Sequence, residues 1–225
     1  MEYDVLVADG EAATNVGKPI TDVMFDFGNV LIYWDPAAVL IPRYSQHTID
    51  EFLDNDISGF YDINDLMDGG TSPEDAIAIM RKRTGDTWAD ILDYYISNFR
   101  DSLTGIVPGA RVLINDLKAA GIGVWGLSNW EASLFHVAEE QCDILQSLDG
   151  KLVSGFVKLR KPHKEIYEEA LREFGIAPDG TVFIDDKAMN IVGSNAAGIR
   201  GVRFQSPTRL RELLIANGVD IPPVR

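Results

Sequence analysis

Three short apolar runs end in polar, reactive groups, and a fourth stretch places a lysine before a proline. Asp26 closes Thr21–Asp26 (TDVMFD) and is followed by Phe27-Gly28-Asn29-Val30. A carboxylate there can attack an electrophile or hold a metal ion, and Gly28 lets the backbone turn tightly. Many strand-end aspartates do no more than form turns. Ser128 and Asn129 follow in the same way from Ile122–Ser128 (IGVWGLS). A hydroxyl beside free N–H groups at a helix start makes an anion cradle, although an ordinary Ser/Asn cap uses the same residues. Lys161 precedes Pro162. Proline keeps the preceding residue extended, which can aim the ammonium into a crevice, where it would offset carboxylates and bind a transferring group. Most lysines are instead solvated. Asp185 and Asp186 close Thr181–Asp186 (TVFIDD). Adjacent carboxylates repel unless a cation lies nearby, and magnesium usually takes one or two protein carboxylates. Asp26 and Asp186 would supply those, with the Gly28 carbonyl as a further oxygen. A turn plus a helix cap explains the acidic pair equally well.

Something must bring these tips together. The three runs are short, β-rich and flanked by Gly, Asp or Asn, as expected of strands buried on both faces of a parallel sheet. Helical patterns lie between them: 110–120 stopping at Gly121, 130–141 with Asn129 placed as its cap, 165–174 before Gly175, and 190–197 before Gly198. Strand and helix in alternation give an α/β fold, a Rossmann-like doubly wound parallel sheet with right-handed crossovers. The stretch 36–103 differs. It holds helical patterns at 48–53, 73–83 and 88–99 and no parallel-strand run, and it is too long for an ordinary crossover. It reads as an inserted helical cap. The core would then be 1–35 and 104–225, with 1–20 (including Tyr3–Ala8) an edge strand or loose extension.

Composition narrows the function. With 225 residues, 46% hydrophobic and 24% charged, the chain can bury a sizeable core. No apolar run is long enough to cross a bilayer, and the N-terminus lacks the basic-then-apolar pattern of a secretory signal. The single cysteine, Cys142, forms no internal disulfide and suits a reducing, cytoplasmic setting. The formal net charge of −15 repels nucleic-acid phosphates, so neither a nucleic acid nor a membrane is an expected partner. An anionic substrate would need local positive charge or a metal ion.

Taken jointly, a nucleophile candidate, a hydroxyl cradle, a lysine and a metal pair come in that order. The sequence resembles the haloacid dehalogenase superfamily of hydrolases, through FDFGNVL (25–31), GLSNW (126–130), RKPHKEIYEEAL (160–171) and FIDDKAMNIVGSNAAGI (183–199). The resemblance covers about residues 21–214. Within the superfamily it is most similar to small bacterial sugar-phosphate phosphatases whose first motif also reads Asp-x-Gly-Asn-Val. It implies a small phosphorylated substrate, Mg2+ as cofactor and an aspartyl-phosphate intermediate on Asp26. Ser128, Asn129 and Lys161 would hold the phosphoryl group. Asp186 would bind the metal, with Asp185 in or beside its ligand set.

One departure stands out. Many superfamily phosphatases carry a second aspartate, the general acid/base, two residues after the nucleophile; here that position is Gly28. Asp35, just before the insertion, is the candidate substitute. The same departure leaves two alternatives, a 2-haloacid dehalogenase and a slow or non-catalytic domain that binds a phosphorylated metabolite. Near the site, Trp34, Trp130 and His163 can line a pocket, and Asp54, Asp56, Asp62, Asn64 and Asp65 form an acidic, amide-bearing stretch able to read sugar hydroxyls. A solvated face accounts for that stretch as well.

Overall fold

The computed structural model describes residues 18–223, so the Tyr3–Ala8 patch lies outside the described residues. The strands are β1 (Asp22–Phe25), β2 (Ile32–Trp34), β3 (Leu103–Ile106), β4 (Gly123–Ser128), β5 (Gly150–Val153), β6 (Thr181–Asp185) and β7 (Arg200–Arg203). The helices are α1 (Pro36–Leu40), α2 (Gln46–Leu53), α3 (Phe60–Asp68), α4 (Pro73–Thr84), α5 (Asp86–Ser97), α6 (Ala110–Ala119), α7 (Phe135–Gln141), α8 (Ser154–Val157), α9 (Lys164–Phe174), α10 (Ala188–Ala196) and α11 (Pro207–Ala216).

Five strands form one parallel sheet in the order β5-β4-β1-β6-β7, the α/β architecture expected from the runs. β1 is central. Its residues Asp22 and Phe25 pair with Gly123 and Gly126 of β4 on one side and with Thr181 and Ile184 of β6 on the other. The chain works outward from β1 in both directions, so the switch in strand order falls at the end of β1, where open α/β sheets bind ligands.

Alternation along β1 feeds two cores. Val23 and Phe25 join the larger apolar cluster, while Met24 joins a second with Leu127, Phe183, Ile166 and Tyr167 under α9 and α10. Burying side chains of this size stabilises by about 1.5–3 kcal/mol each, and this fixes which face each strand presents. Gly126 and Gly193 are held by close approach. A Cβ at Gly126 would sit 2.4 Å from the Phe27 ring, and one at Gly193 would sit 2.2 Å from the Pro162 carbonyl oxygen.

The segment expected to be helical holds α1–α5, with an antiparallel ribbon of β2 and β3 at its two ends. That ribbon escaped the sequence reading because three or four residues give no usable alternation. A second difference lies after β4. The helix expected over 130–141 begins only at Phe135, because Glu131 turns back to accept hydrogen bonds from the Ser133 hydroxyl (2.6 Å) and the Leu134 N–H (2.8 Å). Asn129 is therefore not a helix cap. The helix after the acidic pair starts at Ala188, so Asn190 lies inside its first turn.

Candidate active site

Parallel register brings the strand tips to one edge. Asp26 directly follows β1, Ser128 ends β4 and Asp185 ends β6, and the Asp26 N–H donates to the Ile184 carbonyl at 2.8 Å, locking the nucleophile candidate beside the acidic pair. The Asp26 carboxylate is held through one oxygen. Its Oδ1 accepts from the Phe27 N–H (2.7 Å) and the Ser128 hydroxyl (2.7 Å) and lies 2.9 Å from the Lys161 ammonium. Among the described residues no donor reaches Oδ2, which leaves that oxygen for attack or for a cation.

Lys161 is the hub. Its side chain is 1% exposed, and Nζ lies 2.6 Å from Asp185 Oδ2 and 3.1 Å from the Leu127 carbonyl. Burial alone would lower its pKa, but Asp185 and Asp26 outweigh that and raise it, so the ammonium is kept. Asn129 fixes this lysine's backbone from both sides: its Oδ1 accepts from the Lys161 N–H (2.8 Å) and its Nδ2 donates to the Lys161 carbonyl (3.0 Å). Both side-chain atoms of Asn129 are thus spent on positioning Lys161, which leaves the Ser128 hydroxyl and backbone N–H groups as the elements of the expected anion cradle. The peptide bond between Lys161 and Pro162 is cis, and α9 starts at Lys164.

The adjacent carboxylates have different surroundings. Asp185 is fully buried and meets only donors: Lys161, the Lys187 N–H (2.8 Å), and Asn190 Nδ2 at 3.0 and 2.9 Å from its two oxygens. Burial pushes its pKa up to about 7 against the pull of Lys161; among the described residues every hydrogen-bond partner of its two oxygens is a donor, an arrangement that suits the carboxylate. Asp186 is half-buried, and its Oδ1 is a buried acceptor with no partner among the described residues. Burial and then the Asp26 charge raise its pKa. Carboxylate oxygens of Asp26, Asp185 and Asp186 lie within 4.8 Å of one another, the one such acidic group among the described residues. An orphaned acceptor amid converging carboxylates fits a hard divalent cation.

Above this floor opens a cavity of about 490 Å3, whose lining includes Asp26, Gly28, Ser128, Asn129, Lys161 and Asp186. Trp34, Trp130 and His163 line it too, as do Asp62, Asn64 and Asp65; Asp54 and Asp56 do not. Nor does Asp35. It is exposed and caps α1, accepting from the Ala37 N–H at 3.0 Å. Its charge, after burial, raises the pKa of the Tyr61 phenol, which lines the cavity while Asp35 does not. Sequence reasoning missed Asn190, Arg160, Lys187 and Asp68, all of which line the cavity. Asn190 lies within the last motif quoted above; for Asp68 no sequence pattern points to the crevice.

The sequence pattern of haloacid dehalogenase-like hydrolases matches residues 23–198. The chain belongs to that family. A sesquiterpene phosphatase of Aspergillus oryzae is 26% identical over 183 residues, covering 80% of this chain and 88% of the relative. A (S)-2-haloacid dehalogenase of Burkholderia cepacia is 29% identical over 97 residues, covering 43% and 42% of the two chains. Among solved structures, a haloacid dehalogenase family enzyme of Bacteroides thetaiotaomicron, determined as a magnesium complex, superposes with a TM-score of 0.64 at 21% identity, over 84% of this chain and 95% of that one. This last likeness shows the family fold. No described helix is long and apolar enough to cross a membrane.

Proposed function

We propose that this hydrolase is a magnesium-dependent phosphomonoesterase that forms an aspartyl phosphate on Asp26. The observation that carries the reading is the meeting of one free carboxylate oxygen (Asp26 Oδ2), one buried ammonium (Lys161) and one orphaned carboxylate oxygen (Asp186 Oδ1) on the floor of a single cavity. Phosphoryl transfer needs positioning and charge neutralisation, and these groups supply both. Asp26 attacks phosphorus through Oδ2. Lys161 and the Ser128 hydroxyl face the phosphoryl oxygens, and Asp185 and Asn129 hold Lys161 in place. Asp26 and Asp186, with the Gly28 carbonyl, are the groups to hold Mg2+, which when bound neutralises charge on the transferring group.

The cavity supports a compact substrate with an apolar or aromatic organic group. Trp34 meets Tyr61 edge to face at 6.5 Å and Phe99 meets Trp130 likewise at 5.7 Å, and all four line the cavity with Met67 and Leu134. Of the polar residues expected to read a sugar that line the cavity, both carboxylates are already engaged, Asp62 with Asn55 (3.0 Å) and Asp65 with Arg160. An apolar phosphate monoester therefore replaces the sugar phosphate as the favoured class. The similarity to a sesquiterpene phosphatase points the same way. In this reading residues 36–103 act as the cap, since α3 supplies part of the wall, and the enzyme works in the cytoplasm.

The test is phosphate release from a panel of prenyl, aryl and sugar phosphates, with and without Mg2+, with Asp26→Asn as blank. Release is expected only with metal and intact Asp26, and fastest from apolar esters. The dehalogenase reading is favoured by Gly28 and by the relative of that activity; halide release from a 2-haloacid without metal, and no phosphate release from any ester, would replace the proposal with it.

A further inference from the structure

With glycine at position 28, no carboxyl stands two residues after the nucleophile to pass a proton. A Cβ built at Gly28 would meet no heavy atom within 4 Å, so that side of the cavity is open space. Asp35, the nearest carboxylate in sequence after the nucleophile, is outside the lining. The remaining carboxylates at the floor are committed to Lys161 or to the metal group.

We propose that Asp68, the last residue of α3, is the general acid and base of this enzyme, reaching the leaving-group oxygen from the cavity wall. The inference rests on the phosphatase reading of the same site. Asp68 lines the cavity that Asp26 floors. The end of its helix is fastened to the core: the Ser154 hydroxyl, just past β5, donates to the Asp68 carbonyl at 2.6 Å, and Arg160, the neighbour of Lys161, donates to the Asp65 carbonyl at 2.8 Å and pairs with the Asp65 carboxylate. A group on a tethered helix end keeps its position relative to the reacting atoms, which proton transfer requires. The carboxyl itself is lightly held. Oδ2 accepts from Asn64 at 3.2 Å, and among the described residues no donor reaches Oδ1.

Its surroundings suit the task. Burial first, with the charges of Asp65 and Asp26, raises the Asp68 pKa to about 7 against the opposing pull of Lys187 and Lys161. Its place at the C-terminal, negative end of a helix acts in the same direction. A catalytic group works best with a pKa near the working pH.

The proton balance closes. In the first half-reaction Asp26 Oδ2 bonds to phosphorus, the ester P–O bond breaks, and the Asp68 carboxylic acid gives its proton to the departing oxygen. In the second, the Asp68 carboxylate takes a proton from water as the water oxygen attacks phosphorus. The Asp26–phosphate bond breaks, phosphate leaves, and Asp68 is an acid again.

The experiment compares Asp68→Asn with the wild-type chain in rapid-quench single turnovers with Mg2+, using 2,4-dinitrophenyl phosphate and a simple alkyl phosphate. An activated aryl oxide leaves unaided, so its release should stay within about threefold of wild type, which also shows that the variant is folded. Alkanol release should fall by about 10²–10⁴-fold, the usual worth of a general acid, and breakdown of the phosphoenzyme should slow with both esters. Adding Gly28→Asp, which builds a carboxyl into the open space, should restore much of the alkyl rate. An equal loss with both esters, or no loss with either, overturns the role of Asp68. A wild-type chain that forms no phosphoenzyme from either ester overturns the phosphatase reading instead.

Discussion

Replacing Lys161 by methionine should unfold the protein many degrees earlier, and the structure sets the size of the effect. The ammonium lies 2.6 Å from Asp185 and 2.9 Å from Asp26, with side-chain exposures of 1% for the lysine, 0% for Asp185 and 9% for Asp26. Methionine keeps most of the apolar stem but removes two contacts to carboxylates, worth about 1.5–3 kcal/mol each, and the hydrogen bond to the Leu127 carbonyl. Asp26 retains Ser128 and the Phe27 N–H, and Asp185 retains Asn190 and the Lys187 N–H. The loss is therefore one of charge compensation, not of all hydrogen bonding. Breaking one partner out of a buried ion pair costs about 3–5 kcal/mol, and for a chain of this size each kcal/mol is about 2–4 °C. The melting temperature should drop by about 6–20 °C. Calorimetry at neutral pH without metal measures it. Adding Asp185→Asn to Lys161→Met removes the stranded charge and should recover part of the drop, which gives the coupling through a double-mutant cycle. A single variant that melts within about 2 °C of wild type, or a double variant no better than the single one, would show that Lys161 does not neutralise buried charge.

Two further changes probe the supports of the site. Gly193→Ala puts a methyl group against the Pro162 carbonyl; overpacking of this kind costs about 1–3 kcal/mol, and because Pro162 follows Lys161 the phosphate-release rate should fall as well, while the same substitution at exposed Gly121, where a Cβ meets nothing but the left-handed φ of 77° strains any side chain, should lower stability and leave activity unchanged. Burial of Asp149 is outweighed by the Lys118 ammonium (2.6 Å) and the Val124 N–H (2.8 Å), so its pKa is held below the ordinary carboxylate range. A depressed carboxylate contributes stability above its unfolded pKa and loses it as pH falls through the folded value; Asp149→Asn should thus lower the melting temperature by a few degrees at neutral pH and by progressively less as pH drops below about 4.

Much of the chemistry was written locally. Apolar runs ending in Asp26, Ser128 and Asp185 are strand signals in which the last residue must emerge at the sheet edge, because a parallel sheet buries everything before it. That local code makes residues far apart in sequence meet, as the Ser128 hydroxyl and Asp26 do at 2.7 Å across 102 positions. The acidic surface, the lone cysteine and the glycine at position 28 were likewise plain from composition and order.

Other features depended on docking. Asn129 looked like a cap until the Glu131 turn delayed α7 to Phe135 and freed its amide for the Lys161 backbone. The two aspartates 185 and 186 are adjacent in the chain, yet only packing decides that one meets four donor contacts and the other keeps an orphaned oxygen. Asp35 and Asp68 show the same limit. Proximity in sequence favoured Asp35, but local geometry spends it on capping α1. Asp68 reaches the cavity through contacts made 86 and 95 positions along the chain, from Ser154 to its own carbonyl and from Arg160 to Asp65. The sequence by itself determined which residues sit at strand ends, since burial and backbone pairing act over a few residues. Which helix face looks into the crevice was decided only by the tertiary structure, because a helix can turn any of its sides inward until long-range contacts fix its rotation.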